Sequence, residues 1–292
     1  MYSQIAANKR KTFFIMGLFI LIIGLIGYAY SLYAGSLDSF YIIFGFALVY
    51  TVISYFVSSK VALSVNGAKE IQKSDNPRLY RIVENLAITT GLPMPRVYIM
   101  NDPAPNAFAT GRDPDHAHVA ATTGILSLLD DNELEGVMAH EMGHIKNYDI
   151  RLMMIVFACV SMIGLLSDFL LRMFWFGGRD DDNNGSPVAM ILALVLAILA
   201  PIVAVMVQLA VSRKREFLAD AQGALTTRFP DGLASALSKI EQSGMSMRRQ
   251  NSSTAHLFFA NPLKKKSFSK LFSSHPPTQE RIARLQRMGG EL

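Results

Sequence analysis

Cysteine and charge are both scarce in this chain. One residue of 292 is cysteine, Cys159, so no disulfide can close within the chain and no thiolate cluster can hold a metal. Ligands to a metal such as zinc must then be nitrogen and oxygen. Lys, Arg, Asp and Glu make up only 17% of residues against 51% hydrophobic, and the mean hydropathy is positive, which excludes an ordinary soluble domain of this length. Charge is almost missing from the longest apolar stretches. That argues against a transporter, whose pathway needs polar groups at mid-membrane. A pI near 9.3 does not signal nucleic acid, because the basic residues border apolar runs or gather late, at Arg248, Arg249, Lys264, Lys265, Lys266 and Lys270. Anionic lipid headgroups are the simpler partner for the Lys264 to Lys270 cluster, and a solvated loop is the other reading.

What the chain has in quantity is apolar length. Phe13 to Leu32, Phe40 to Val57, Leu152 to Leu171 and Val188 to Val211 each approach the roughly 20 residues with which a helix crosses hydrocarbon. They fall into two hairpins. The first run is longer than a signal-peptide core and a second follows at once, so it is read as retained. Lys9, Arg10 and Lys11 precede the first run, Lys60 follows the second, Arg151 precedes the third, and Arg213, Lys214 and Arg215 follow the fourth. The turn from Tyr33 to Ser39 has no Lys or Arg, so both termini are expected on the cytoplasmic side. The loop from Arg172 to Pro187, with Asp180, Asp181, Asp182 and the Phe174-Trp175-Phe176 belt, suits the outer interface, and Asp168 and Arg172 are placed to pair there. The expected organisation is a membrane hairpin over 1–59, a cytoplasmic region over 60–151, a second hairpin over 152–211 and a second cytoplasmic region over 212–292.

Between the hairpins the sequence turns polar enough to fold in water. Leu79, Ile82, Val83 and Leu86 recur at helical spacing within Asn76 to Thr90; Pro95 to Met100 reads as a strand, and Asn106 to Thr110 with His118 to Thr123 as a short strand pair. The fold class is therefore an α+β integral membrane protein with a small sheet beside helices. His116 and His118 alternate on a strand edge with no acid assigned to either, and read as solvated or hydrogen-bonded histidines. A helix follows, with Asp130 as N-cap, Glu133 three residues on, and Leu134, Val137, Met138 and Ile145 as its apolar stripe.

That helix contains His140, Glu141 and His144, spelling His-Glu-x-x-His. Positions i and i+4 share a helical face, so two imidazoles converge on one ion while the glutamate addresses the ion's water. This is the chemistry of one hydrolytic Zn²⁺. A third protein ligand is required, and the metzincin extension is excluded because Asn147 and Ile150 stand where it needs glycine and histidine. Glu216 is the best candidate, four residues before Asp220 on an expected helix, where Asp220 could orient a ligating histidine. On spacing alone, the better reading of Glu216 is an ordinary helix-start acid balancing Arg213, Lys214 and Arg215.

The His-Glu-x-x-His helix, the stretch Asn106-Ala107-Phe108-Ala109-Thr110-Gly111, the block from Glu216 to Asp220 and the tail His275-Pro276-Pro277-Thr278-Gln279-Glu280-Arg281-Ile282 together resemble the HtpX-type membrane zinc metalloproteases. The resemblance runs over nearly the whole chain. It implies that His140, His144 and Glu216 ligate zinc, Glu141 is the general base, Asp220 orients a ligand, Asn106 and Ala107 lie on the edge strand that aligns substrate, and His275 steadies the oxyanion. It implies a mainly helical zincin domain on the cytoplasmic side of the bacterial cytoplasmic membrane, cutting damaged or misfolded membrane proteins. Related eukaryotic enzymes process CAAX proteins but carry more membrane spans than four. The alternatives are thus a CAAX-type processing peptidase, or a non-enzymatic four-span scaffold or transporter with an incidental zinc site.

Overall fold

The structure, a computed structural model, describes residues 2–177, 212–249, 253–261 and 276–290. It opens with a hairpin of two long helices, α1 (Tyr2–Ala34) and α2 (Asp38–Val65). Stretches Ile5–Tyr28 and Asp38–Val65 are long and apolar enough to cross a membrane. Small residues let them touch: a side chain at Gly27 would lie 2.9 Å from Ile43 Cγ2. Their outer faces are apolar as well, with Phe13, Leu21, Leu25 and Val52 exposed and Ile42 71% exposed, the pattern of a helix whose solvent is lipid.

The third apolar run forms helix α6 (Asp149–Gly177), whose side chains are described as far as Leu165. Leu152, Ile155, Val156, Cys159 and Ile163 of α6 pack on Ile15, Phe19 and Ile23 of α1 and on Ala47 of α2. The fourth run, Val188 to Val211, and the loop before it, lie outside the described residues. Among the described residues, two apolar helices satisfy the length and composition of a span; α6 joins them only if taken as one bent unit with the preceding helix, at an angle of 79°.

The domain between and after these helices is built on a four-stranded mixed sheet. Its strands are β1 (Ala68–Glu70), β2 (Arg96–Met100), β3 (Ala107–Gly111) and β4 (Ala117–Thr122), in the order β1-β2-β4-β3. β2 and β4 run parallel with Val97 opposite Val119, while β3 pairs antiparallel to β4 with Ala107 opposite Ala121. β3 is therefore an edge strand. Ala107, Ala109, Ala117 and Ala121 give the sheet a shallow surface on which helices lie close.

Six further helices are described in this domain: α3 (Pro77–Thr90), α4 (Thr123–Leu128), α5 (Asp131–Lys146), α7 (Arg213–Thr227), α8 (Pro230–Ser243) and α9 (Thr278–Gly289); α5 lies on the sheet, α3, α7 and α8 pack on α5, and α9 packs on α7 and α8. Asn76 caps α3 by accepting from Leu79 N at 2.9 Å. Asp130 and Glu133 form the reciprocal capping box of α5, each bond 3.0 Å long, as expected from their spacing. α5 is buried along almost its whole length, and α7 approaches it so closely that a side chain at Gly223 would lie 3.1 Å from His140 N. A larger residue there would force the α5 backbone to give way by a few tenths of an ångström. The elbow between α5 and α6 is Asn147 and Tyr148, and Tyr148 adopts φ 60°, a left-handed conformation uncommon for an aromatic residue.

Candidate metal centre

His140 and His144 project from one face of α5, one turn apart, with ring centroids 4.7 Å apart and planes at 89°. Their Nε2 atoms face each other at 3.1 Å. The close packing of α7 on α5 brings Glu216 to the same point, Oε2 3.8 Å from His140 Nε2 and Oε1 3.5 Å from His144 Nε2. One ligand atom from each of the three residues lies within 4.8 Å of the others, and all three side chains are buried.

The far nitrogens are committed elsewhere. His140 Nδ1 meets Asp220 Oδ1 at 2.9 Å and His144 Nδ1 meets Asp149 Oδ2 at 3.0 Å. A carboxylate at Nδ1 holds the proton there and turns the Nε2 lone pair inward. Two lone pairs and a carboxylate then converge on a buried point, an arrangement that demands positive charge. Burial opposes charge on His144, yet the Asp149 hydrogen bond and the Glu216 carboxylate outweigh it and raise its pKa to about 9. A proton answers the demand only in part; a divalent cation with nitrogen and oxygen preferences fits the donor set in full.

Glu141 is buried beside the pair, where burial raises its pKa and the two histidines pull it back. The backbone amide of Ala109 on β3 also favours the charged Glu141 carboxylate and draws its pKa down.

Asp220 holds more than a histidine. Arg281 of α9 donates to it twice, Nε at 2.9 Å and Nη2 at 2.7 Å, and despite burial this guanidinium keeps Asp220 far below the ordinary carboxylate range. Phe259 completes the wall, edge-on to His140 at 5.1 Å and with Arg281 Cζ 4.9 Å from its centroid. Sequence reasoning missed Arg281, Phe259 and Asp149 as site residues. The first stands inside the tail block already singled out, and the last follows His144 by five residues.

Asn106 and Ala107 lie at the start of the β3 edge, and that edge is covered by the chain itself. Phe259 N donates to Ala107 O at 2.8 Å, while the Asn106 amide donates to Ala260 O at 2.8 Å and accepts from Ala260 N at 3.0 Å. His275 and the Lys264 to Lys270 cluster lie outside the described residues. His116 and His118 take no part in the metal centre. His116 is exposed and meets Asp113 Oδ1 at 2.6 Å, so an acid does pair with it. His118 is buried rather than solvated, 5.5 Å from the Tyr98 ring, and burial holds its pKa down at about 4.

A sheet-edged His-Glu-x-x-His helix, completed by a carboxylate from a second helix and joined to an apolar hairpin, defines a membrane-associated metallohydrolase. Comparison with known proteins makes the class specific. Residues 73–289 match the family model described as Peptidase family M48, and the chain belongs to that family. It is 55% identical to a protease HtpX homolog of Tropheryma whipplei (strain Twist), over 100% of both chains. It is 44% identical to a protease HtpX homolog of Streptococcus gordonii, over 99% of this chain and 100% of that one. In fold it is similar to the crystal structure of Ste24p from S. mikatae, with a TM-score of 0.54 and 18% identity, over 98% of this chain and 67% of the other. The protein is a membrane-bound metalloprotease of the HtpX type.

Proposed function

We propose that the protein is a zinc endopeptidase of the bacterial cytoplasmic membrane, in which His140, His144 and Glu216 hold one Zn²⁺ and Glu141 is the general base. The observation that carries this reading is the pair of Nε2 atoms 3.1 Å apart, each backed by a carboxylate at Nδ1, with Glu216 alongside. Bound there, zinc supplies Lewis acidity, polarising the scissile carbonyl and making water acidic. Glu141 takes the proton of the attacking water and delivers it to the leaving amine; its burial brings its pKa upward, toward that of a group able to do both. Asp220 and Asp149 keep both imidazoles in the tautomer that points Nε2 at the ion. His275 serves as donor to the oxyanion, and Asn106 and Ala107 open the edge along which substrate adds, once the Phe259–Ala260 contact yields or is extended.

The same reading places four spans in two hairpins, with 60–151 and 212–292 forming one catalytic body on the cytoplasmic side. Basic residues at the span ends support that orientation. Substrates are membrane proteins with damaged or unfolded cytoplasmic segments, a quality-control role, and the Lys264 to Lys270 cluster meets anionic lipid.

The test is cleavage of a denatured membrane protein by purified protein, with zinc content measured alongside. Chelation should abolish cleavage and zinc should restore it at one ion per chain. Cleavage that persists with the metal stripped would overturn the proposal.

A further inference from the structure

We infer that the first membrane helix is a working part of the metal centre, with Asn8 as a positioning residue that acts through Asp149 on His144. The inference rests on the reading of His144 as a metal ligand. Asn8 is fully buried near the start of α1, five residues ahead of the apolar run that begins at Phe13. Its amide nitrogen carries two protons, and both go to the α5–α6 elbow: Nδ2 lies 2.7 Å from Asp149 Oδ1 and 2.9 Å from the Asn147 carbonyl. Asp149 Oδ2 accepts in turn from His144 Nδ1 at 3.0 Å. A continuous set of hydrogen bonds thus joins α1 to a ligand of the metal.

The elbow is a place where such a hold matters. α5 and α6 meet at 79°, and Tyr148 between them has φ 60°, a backbone state that a bulky side chain keeps only when its surroundings impose it. Lys9 Nζ of α1 sits 4.4 Å from the Tyr148 ring centroid and Arg151 Cζ of α6 sits 4.8 Å from it, so cations from two helices meet the ring. A small rotation at this joint would swing Asp149 away from Nδ1. Arg215 Nε forms a buried ion pair with the same carboxylate at 3.6 Å, which holds its charge without the directional hold of a hydrogen bond. An anchor helix that merely holds the chain to a membrane has no use for a buried amide, since burying one is costly unless it is bonded. Here both amide protons bond to the elbow while Asn8 Oδ1 meets no hydrogen-bond donor among the described residues, and the metal site is complete only when α1 is seated against the elbow.

The experiment uses the full chain in lipid nanodiscs, with the zinc dissociation constant measured by competition against a chromophoric chelator. Asp149→Ala should weaken zinc binding by about 10- to 100-fold, and Asn8→Ala, one contact further out, by about 3- to 10-fold. The double variant should bind zinc no more weakly than Asp149→Ala alone, because Asn8 has nothing left to position. Thr12→Val removes a buried hydroxyl bonded to the Asn8 carbonyl and should leave zinc binding unchanged. If Asn8→Ala does not fold, Asn8→Leu restores volume without donors and should show the same loss. Unchanged zinc affinity in the Asn8 variants, losses that add in the double variant, or an equal loss in Thr12→Val overturns the inference while the metal site stands. A wild-type protein that binds no zinc overturns both.

Discussion

At the scale of single residues, the site works by assigning each polar atom one task. Glu141 is separable from the proposed ligands, since it is not among the three residues whose donor atoms converge. Glu141→Gln should therefore retain one zinc per chain and lose at least about 100-fold in turnover, the lower end of what general acid–base groups contribute. Near wild-type cleavage with zinc bound would remove Glu141 from the mechanism. Arg281 offers the complementary case. Its two bonds to Asp220 are buried, and deleting one partner of a buried pair costs about 3–5 kcal/mol because the other is stranded. Arg281→Ala should thus lower the melting temperature and the zinc affinity together. Arg281→Lys keeps the charge but not the fork and should fall between. Differential scanning fluorimetry beside zinc titration reads both; a stable Arg281→Ala protein with full zinc affinity would leave Asp220 without need of this partner.

At the scale of elements, the sequence declared those held by local rules. α3 and α5 announce themselves through Asn76, Asp130 and Glu133, because caps act within one turn, and β2, β3 and β4 through short, largely apolar runs near Pro, Gly and Asp. β1 was not legible, being three residues, Ala68 to Glu70, with no alternation to read. The site divides along the same line. His140 and His144 are one turn apart and could be seen; Asn8 lies 141 residues from Asp149, and Arg281 lies 61 from Asp220, distances over which periodicity carries no information. Asn8 was further masked by its neighbours, because Lys9, Arg10 and Lys11 read as the flank of a span.

Glu133 shows how one element terminus ties two helices. It closes the capping box of α5 and also accepts from Ser235 Oγ at 2.5 Å and Lys239 Nζ at 2.7 Å, both on α8. Burial opposes its charge, but these donors prevail and its pKa is lowered below 4.5. A carboxylate depressed in the folded state contributes stability that is present above its unfolded pKa and lost as pH falls through the folded one. Glu133→Gln should accordingly lower the melting temperature by an amount constant between about pH 7 and pH 5.5, and the gap to wild type should narrow below about pH 4.5. A gap that widens on acidification would have the wrong sign for this account.

At the scale of the whole molecule, the site and the membrane share their supports. α1, α2 and α6 form one packed layer, and the elbow that begins α6 holds Asp149 against His144. Orientation is tested with thiols: in a Cys159→Ala background, Gly185→Cys should react with an impermeant reagent from outside intact cells and Ser252→Cys should not. The reverse pattern would invert the protein. Depth follows from the same contacts. Asn8 precedes Phe13 by five residues, about 7.5 Å of helix at about 1.5 Å per residue, and two hydrogen bonds link it to His144. On the proposed topology, with Phe13 taken as the hydrocarbon edge, the metal site lies on the order of 10 Å beyond that edge, in the headgroup layer. At that depth an extended chain can add to the β3 edge, whereas a peptide bond in mid-membrane is held in helix and out of reach. Cleavage of a membrane substrate should then fall in cytoplasmic loops and within unfolded juxtamembrane segments, as read by mass spectrometry of product termini. A majority of cuts near the centres of transmembrane segments would place the metal inside the bilayer, and would require α5 itself to be part of a span.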